Sequence, residues 1–240
     1  MQMNNTDMLI EGGKIFGIQL TADQVQQFSQ YLDLLLEWNQ KINLTAITEE
    51  EEIIIKHFLD SISCITIQEI KKDSKIIDIG TGAGFPGIPI KICYPDVSLT
   101  LLDSLQKRIQ FLKAVSERLG FQNIFFEHGR AEDFGKKENF REQYDIAVAR
   151  AVAPLNVLCE YCLPFIKVGG SFVCQKGRNI DEEIDKANKA IQLLGGELVE
   201  IKSISLPFSD IVHHLIVIQK IKQTPTKFPR RAGIPTKKPL

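Results

Sequence analysis

Long apolar runs are missing from this chain of 240 residues. Its longest stretch free of Asp, Glu, Lys and Arg covers residues 79–90, twelve positions of which four are glycine. A membrane-crossing helix needs about 20 apolar residues, so no membrane association is expected. The opening MQMNNTDMLIEGG has no basic start and no apolar core, so no secretory signal is read there. Cysteine is scarce and odd in number: Cys64, Cys93, Cys159, Cys162 and Cys174. Scattered thiols without a signal peptide argue for a reduced cytoplasmic protein, not a disulfide scaffold. The four histidines, His57, His128, His213 and His214, show no metal-ligand spacing, and no metal is expected. Internal repeats and low-complexity segments are also missing. What is present is ordinary soluble composition, 44% hydrophobic and 25% charged. A chain of this length buries about 70–75% of its unfolded surface and needs no staple to hold a core; a monomer is expected.

Charge is unevenly placed. The net charge is −1, yet residues 220–240 hold seven basic side chains and no acidic one. That leaves 22 basic against 30 acidic residues in the remainder. A basic segment on an acidic body suits a local polyanion contact. Prolines at 225, 229, 235 and 239 predict that this segment is extended and presented on the surface. Its Arg230 and Arg231 are then candidates for tracking an RNA backbone.

The hydrophobic pattern divides the chain in three. Residues 1–66 read as a helical extension. Thr21 with Gln24 forms a capping box ahead of Val25, Phe28, Leu32 and Leu35 at helical spacing. Thr48 with Glu51 predicts a second capped helix that ends near Ser63. Residues 67–222 alternate strands and helices, with residues 67–74 as the junction. Strands are predicted at 76–79, 98–102, 123–127, 144–148, 171–174, 198–206 and 214–221, and the last two lack an intervening helix, so they should be antiparallel. The fold class is therefore α/β, a mainly parallel seven-stranded open sheet with helices on both faces and one antiparallel strand near its edge. Residues 223–240 form the basic tail.

The strongest local motif is Asp78-Ile-Gly80-Thr-Gly82-Ala-Gly84-Phe85-Pro86-Gly87, between the first strand and its helix. Glycines there allow a tight turn and close approach of a ligand. Two spacings coexist. Gly82, Gly84 and Gly87 match a dinucleotide fingerprint, while Gly80, Gly82 and Gly84 after an acidic residue match S-adenosylmethionine enzymes. Asp103 ends the next strand, where a carboxylate can accept both ribose hydroxyls of an adenosine ligand. Two further strand ends lead to Arg130-Ala131-Glu132 and to Arg150, converging on the edge where open α/β sheets bind ligands. Lys176 ends the fifth strand as a candidate RNA contact. Cys159 and Cys162 have redox spacing but fall on an apolar helix stripe, which favours burial. His57 and Asp60 share a helix face, for which a place at the cleft and a structural hydrogen bond are both open readings. Trp38 and Asn39 are read as packing residues.

The chain resembles the RsmG (GidB) family of bacterial 16S rRNA guanine-N7 methyltransferases. The resemblance is carried by the segments LEWNQKINLT (36–45), HFLDS (57–61), IDIGTGAGFPGIP (77–89), LLDS (101–104), RAE (130–132), ARA (149–151) and FPRRAGIPTKKP (228–239). It implies a class I (Rossmann-like) methyltransferase fold, S-adenosylmethionine as cofactor and 16S rRNA or the small ribosomal subunit as partner. It places Gly80, Phe85, Ala131, Glu132 and Arg150 at cofactor positions, beside Gly82, Gly84 and Asp103 from the spacing argument. Where the family is expected to carry an arginine before the last strand, this chain has His213, which joins Arg130, Lys176, Arg230 and Arg231 as an expected RNA contact. No catalytic side chain is expected, because guanine N7 already presents a free lone pair. An NAD(P)-dependent oxidoreductase and a non-enzymatic RNA-binding module are the alternatives that the residues leave open.

Overall fold

The computed structural model describes residues 3–67, 70–150, 153–177 and 180–240. Gln68 and Glu69, within the expected junction, and Ala151, within the ARA segment, lie outside the described residues. The chain opens with α1 (Asn5–Ile15) and α2 (Ala22–Asn39). The Thr21 side chain accepts from Gln24 N while the Gln24 side chain accepts from Thr21 N, so the first capping box forms. The second does not. Helix α3 (Glu50–Ile53) starts from Glu49 without a side-chain cap. Its three acidic residues Glu50, Glu51 and Glu52 complement the helix dipole instead, and Asn5 Nδ2 donates to Glu50. The helix continues through a π-helical segment (Ile54–Leu59) into α4 (Asp60–Ser63), ending where the sequence predicts.

Alternation then takes over: β1 (Lys75–Ile79), α5 (Gly87–Cys93), β2 (Ser98–Asp103), α6 (Gln106–Leu119), β3 (Ile124–His128), α7 (Ala131–Phe134), β4 (Tyr144–Arg150), α8 (Leu155–Cys162), β5 (Ile166–Lys176), α9 (Asp181–Leu193), β6 (Gly196–Ser205) and β7 (Val212–Lys220). Ile166 opens β5 after a 3₁₀ turn over Leu163–Phe165, whose last bond runs from Ile166 N to Leu163 O. The sheet order is β3-β2-β1-β4-β5-β7-β6. Strand β7 alone runs antiparallel, between β5 and β6. This is the seven-stranded α/β sheet expected, with the reversed strand one place in from the edge. Both faces are covered, and alternate strand residues serve different cores. Ile76, Leu99, Ile146 and Val173 pack with α1, α2, α5 and α6. Ile77, Leu102, Ala147 and Phe172 pack with α8 and α9. Cys159 and Cys162 are wholly buried in the second core, and burial pushes their thiols up, as a structural role requires.

The basic segment departs from expectation. It is neither extended nor free. Phe228 is buried in the second core, and Arg141 donates to the carbonyls of Thr224 and Phe228. Arg230 forms a fork onto Glu160, a carboxylate with no exposed surface. A short helix, α10 (Ile234–Lys237), follows, with Pro235 in its first turn, where a missing N–H is harmless. Proline therefore shapes the segment without keeping it off the body.

Candidate active site

The glycine turn joins β1 to α5 at the carboxyl ends of the parallel strands, the edge where such sheets take ligands. Gly80, Gly82 and Gly84 all have positive φ, at 70°, 61° and 100°. Gly80 N and Thr81 N both donate to Leu102 O, which ties the turn to β2. Asp78 anchors its far side. One oxygen accepts from the Thr81 hydroxyl at 2.7 Å and from Gly87 N at 2.8 Å, while the other is buried without a partner. Burial pushes the Asp78 carboxyl up to about 7.

Gly82 and Gly84 do different work. A Cβ at Gly82 would meet only Gly80 O, 4.0 Å away, so this side of the turn is open. A Cβ at Gly84 would strike Ile88 at 2.6 Å, the Tyr31 hydroxyl at 2.8 Å and Leu112 at 3.0 Å. A side chain at Gly84 would therefore point into the core, whereas one at Gly82 would point to the open side, although the spacing put both glycines at the cofactor. Tyr31, which the sequence reading passed over, is wholly buried and donates to Ala83 O at 2.5 Å. It pins the turn from α2. Tyr31 follows Phe28 at helical spacing on α2, the signal that places it on the buried stripe.

Beside the open flank lies a cavity of about 120 Å³ lined in part by Gly80, Asp103, Arg130, Ala131, Glu132 and Tyr161. Asp103 is nearly buried. It accepts from Gly82 N at 2.9 Å, from Leu105 N at 2.8 Å and from Arg108 at 3.3 Å. It is thus a cap and a brace for the turn: Oδ2 takes both Gly82 N and Arg108, while Oδ1 accepts only from Leu105 N and keeps a lone pair for a hydroxyl donor. The cavity, the open turn and this carboxylate fit an adenosine-bearing cofactor.

A buried ionic cluster closes the other side. Arg150, at the end of β4, pairs with Asp60 at 2.7 Å and donates to Lys56 O at 3.2 Å. Its guanidinium lies 4.9 Å from the Phe85 ring centre, and His57 stacks on the same ring at 4.6 Å. Burial alone would raise Asp60, but the bond from His213 and the Arg150 charge outweigh it and hold the carboxyl below its usual range. Burial, then the Arg150 charge, pulls His57 down to about 4. Neutral His57 accepts from Arg150 at Nδ1, 3.2 Å away, and donates from Nε2 to Thr45 Oγ1 at 2.8 Å. His57 sits in the π-helical segment, a geometry that frequents functional sites. Asn39 accepts from Leu44 N and Thr45 N and so places Thr45. His213 lies inside β7, not before it, and is nearly buried, with Nδ1 2.9 Å from Asp60. It braces this cluster.

The other expected RNA contacts scatter. Arg130 and Arg231 are exposed. Lys176 is held by Glu183 and by Ala153 O, each at 2.6 Å, so it is not a solvated loop lysine.

Comparison with known proteins decides the family. The model for rRNA small subunit methyltransferase G (GidB) matches residues 24–212. The chain belongs to this family. The small subunit methyltransferase G of Alkaliphilus metalliredigens is 60% identical over 238 residues, 99% of this chain and 100% of the relative. That of Thermoanaerobacter sp. is 57% identical across the full length of both. Among solved structures, TrmN from Thermus thermophilus superposes at a TM-score of 0.53 with 14% identity, over 68% of this chain and 48% of that one. The fibrillarin pre-rRNA processing protein of Methanococcus jannaschii gives 0.52 with 21% identity, over 65% and 70%. These two likenesses show the fold. Membership in the methyltransferase G family closes the oxidoreductase and binding-module readings. Among the described residues no helix is long and apolar enough to cross a membrane.

Proposed function

We infer that this protein methylates N7 of a guanine in the 530 loop of 16S ribosomal RNA, on free rRNA or on the small subunit, using S-adenosylmethionine. The observation that carries this reading is the open glycine turn braced by Asp103 beside the cavity lined by Ala131 and Glu132, within a methyltransferase G chain. The cofactor supplies a methyl group on a sulfonium, already activated for transfer. Gly80 and Gly82 leave room for it, Asp103 accepts from its ribose, and Ala131 and Glu132 flank its base. Phe85 and Arg150 border the methyl-bearing end, with Arg150 held still by Asp60. Guanine N7 carries its lone pair outward, so this chain needs no general base. The site agrees: His57 is neutral and engaged at both ring nitrogens, and the two cysteines of α8 are buried. Rate enhancement then comes from orientation and exclusion of water.

Segments 1–66, 67–222 and 223–240 serve as N-terminal cover, cofactor-binding body and RNA-facing tail of a cytoplasmic monomer. Arg130 and Arg231 are its exposed RNA contacts. The test is single-turnover transfer from labelled cofactor to 16S rRNA, with the product nucleotide identified. The expected product is 7-methylguanosine, at a rate nearly flat from about pH 6 to 9. Labelled cytidine, or a steep rise near neutrality, refutes the reading.

A further inference from the structure

The basic segment touches the cofactor cavity from behind. Gly233 N donates to Glu132 Oε1 at 2.9 Å, and the hydroxyls of Thr236 and Tyr161 meet at 2.9 Å. Glu132 and Tyr161 both line the cavity. Glu132 is almost wholly buried, so its carboxylate depends on this N–H. Gly233 reaches it with φ at 80°, and a Cβ there would meet nothing within 4 Å. The contact thus rests on a backbone shape natural to glycine, not on space. Arg230, gripping Glu160 at the head of the segment, sets where the latch lands. The same segment carries Arg231, Lys237 and Lys238, all exposed. Lys237 closes α10, and Thr236 of the same short helix makes the Tyr161 contact. One rigid piece of backbone therefore joins the exposed charges to the cavity wall.

We propose that residues 231–240 are a positioning latch for the cofactor cavity: they hold Glu132 and Tyr161 in place, so that RNA bound to Arg231, Lys237 and Lys238 tightens the cavity around the cofactor. This rests on the methyltransferase reading above. Glu132 and Tyr161 are positioned by the latch, and the latch itself touches neither reacting atom. Linkage makes the effect reciprocal: RNA raises cofactor affinity by the factor by which cofactor raises RNA affinity.

Calorimetry with S-adenosylmethionine tests it on two variants. A chain ending at Arg230 keeps Phe228, Thr224 and the Glu160 fork, and so keeps the contacts that fold the segment onto the body. Its cofactor Kd should rise about tenfold, the loss of one bond to a charged group, while its urea transition stays cooperative at a lower midpoint. Gly233→Ala penalises only the latched backbone and should raise Kd about threefold. Adding deproteinised 16S rRNA should lower the Kd of the full-length chain at least about threefold and leave that of the shortened chain unchanged. Equal Kd in the shortened and full-length chains overturns the latch while sparing the methyltransferase reading. No cofactor binding by either overturns both.

Discussion

Replacing His57 with glutamine and unfolding both proteins in urea at pH 7 and at pH 5 measures what the buried neutral ring costs. The ring's folded value of about 4 lies below its ordinary 6.5. As pH falls, the unfolded chain therefore takes the proton first, and stability present above about 6.5 is lost toward pH 4. Between pH 7 and pH 5 the loss works out at about 2 kcal/mol, trimmed somewhat by the ring's partial exposure. Asp78 acts in the opposite sense. Its value is raised from 3.8 to about 7, so the folded state holds a proton that the unfolded chain releases, and stability grows as pH falls below about 7. The two effects are similar in size, and wild-type stability alone should change little over this range. The gap between wild type and His57→Gln isolates the histidine, because Asp78 is common to both. At pH 7 the variant should be less stable by about 1 kcal/mol, having lost the stack on Phe85. At pH 5 the gap should close or reverse. Trp38, the only tryptophan, rests 5.7 Å from Phe111 and reports unfolding by fluorescence. An unchanged gap at the two pH values refutes the assignment of His57 as a neutral, acid-sensitive member of the Arg150 cluster.

The two turn glycines should separate cleanly. Gly84→Ala should destabilise by about 2–4 kcal/mol in urea, from contacts below 3.0 Å with Ile88 and Tyr31 at positive φ. Gly82→Ala should cost about 1–2 kcal/mol of stability and weaken cofactor binding measured by calorimetry, since its Cβ projects into the open flank. Tyr31→Phe should cost about 1 kcal/mol and loosen the turn, read as faster amide exchange at Phe85 and Gly84.

Local signals carried most of the fold into view. The Thr21–Gln24 box, the glycine turn and the seven strands all depend on neighbours within a few positions. Thr48 misled because an acidic first turn stabilises a helix start without a side-chain cap. Partnerships over long separations were invisible. Arg150 finds Asp60 across 90 positions, and Arg230 finds Glu160 across 70. Nothing in periodicity links such pairs. Basic charge and proline in residues 223–240 spoke for a solvated arm, but one buried carboxylate and one buried ring were enough to fold it down. The π-helical segment around His57 has no sequence signature in this chain.

Strand order also has a consequence for synthesis. Strand β7 is the last to be made, yet it lies between β5 and β6 and pairs with both. Strands β1 to β5 can align in parallel as they emerge, which leaves β5 as an unpaired edge of apolar residues Phe172, Val173 and Cys174. Strand β6 cannot shield it, because its place is one strand farther out. A ribosome adds about 5–20 residues per second, so the interval is brief during elongation and indefinite if translation stalls before Val212. A nascent chain arrested there should recruit chaperones or aggregate through that edge, whereas the released full-length chain, with β7 in place, should be protected.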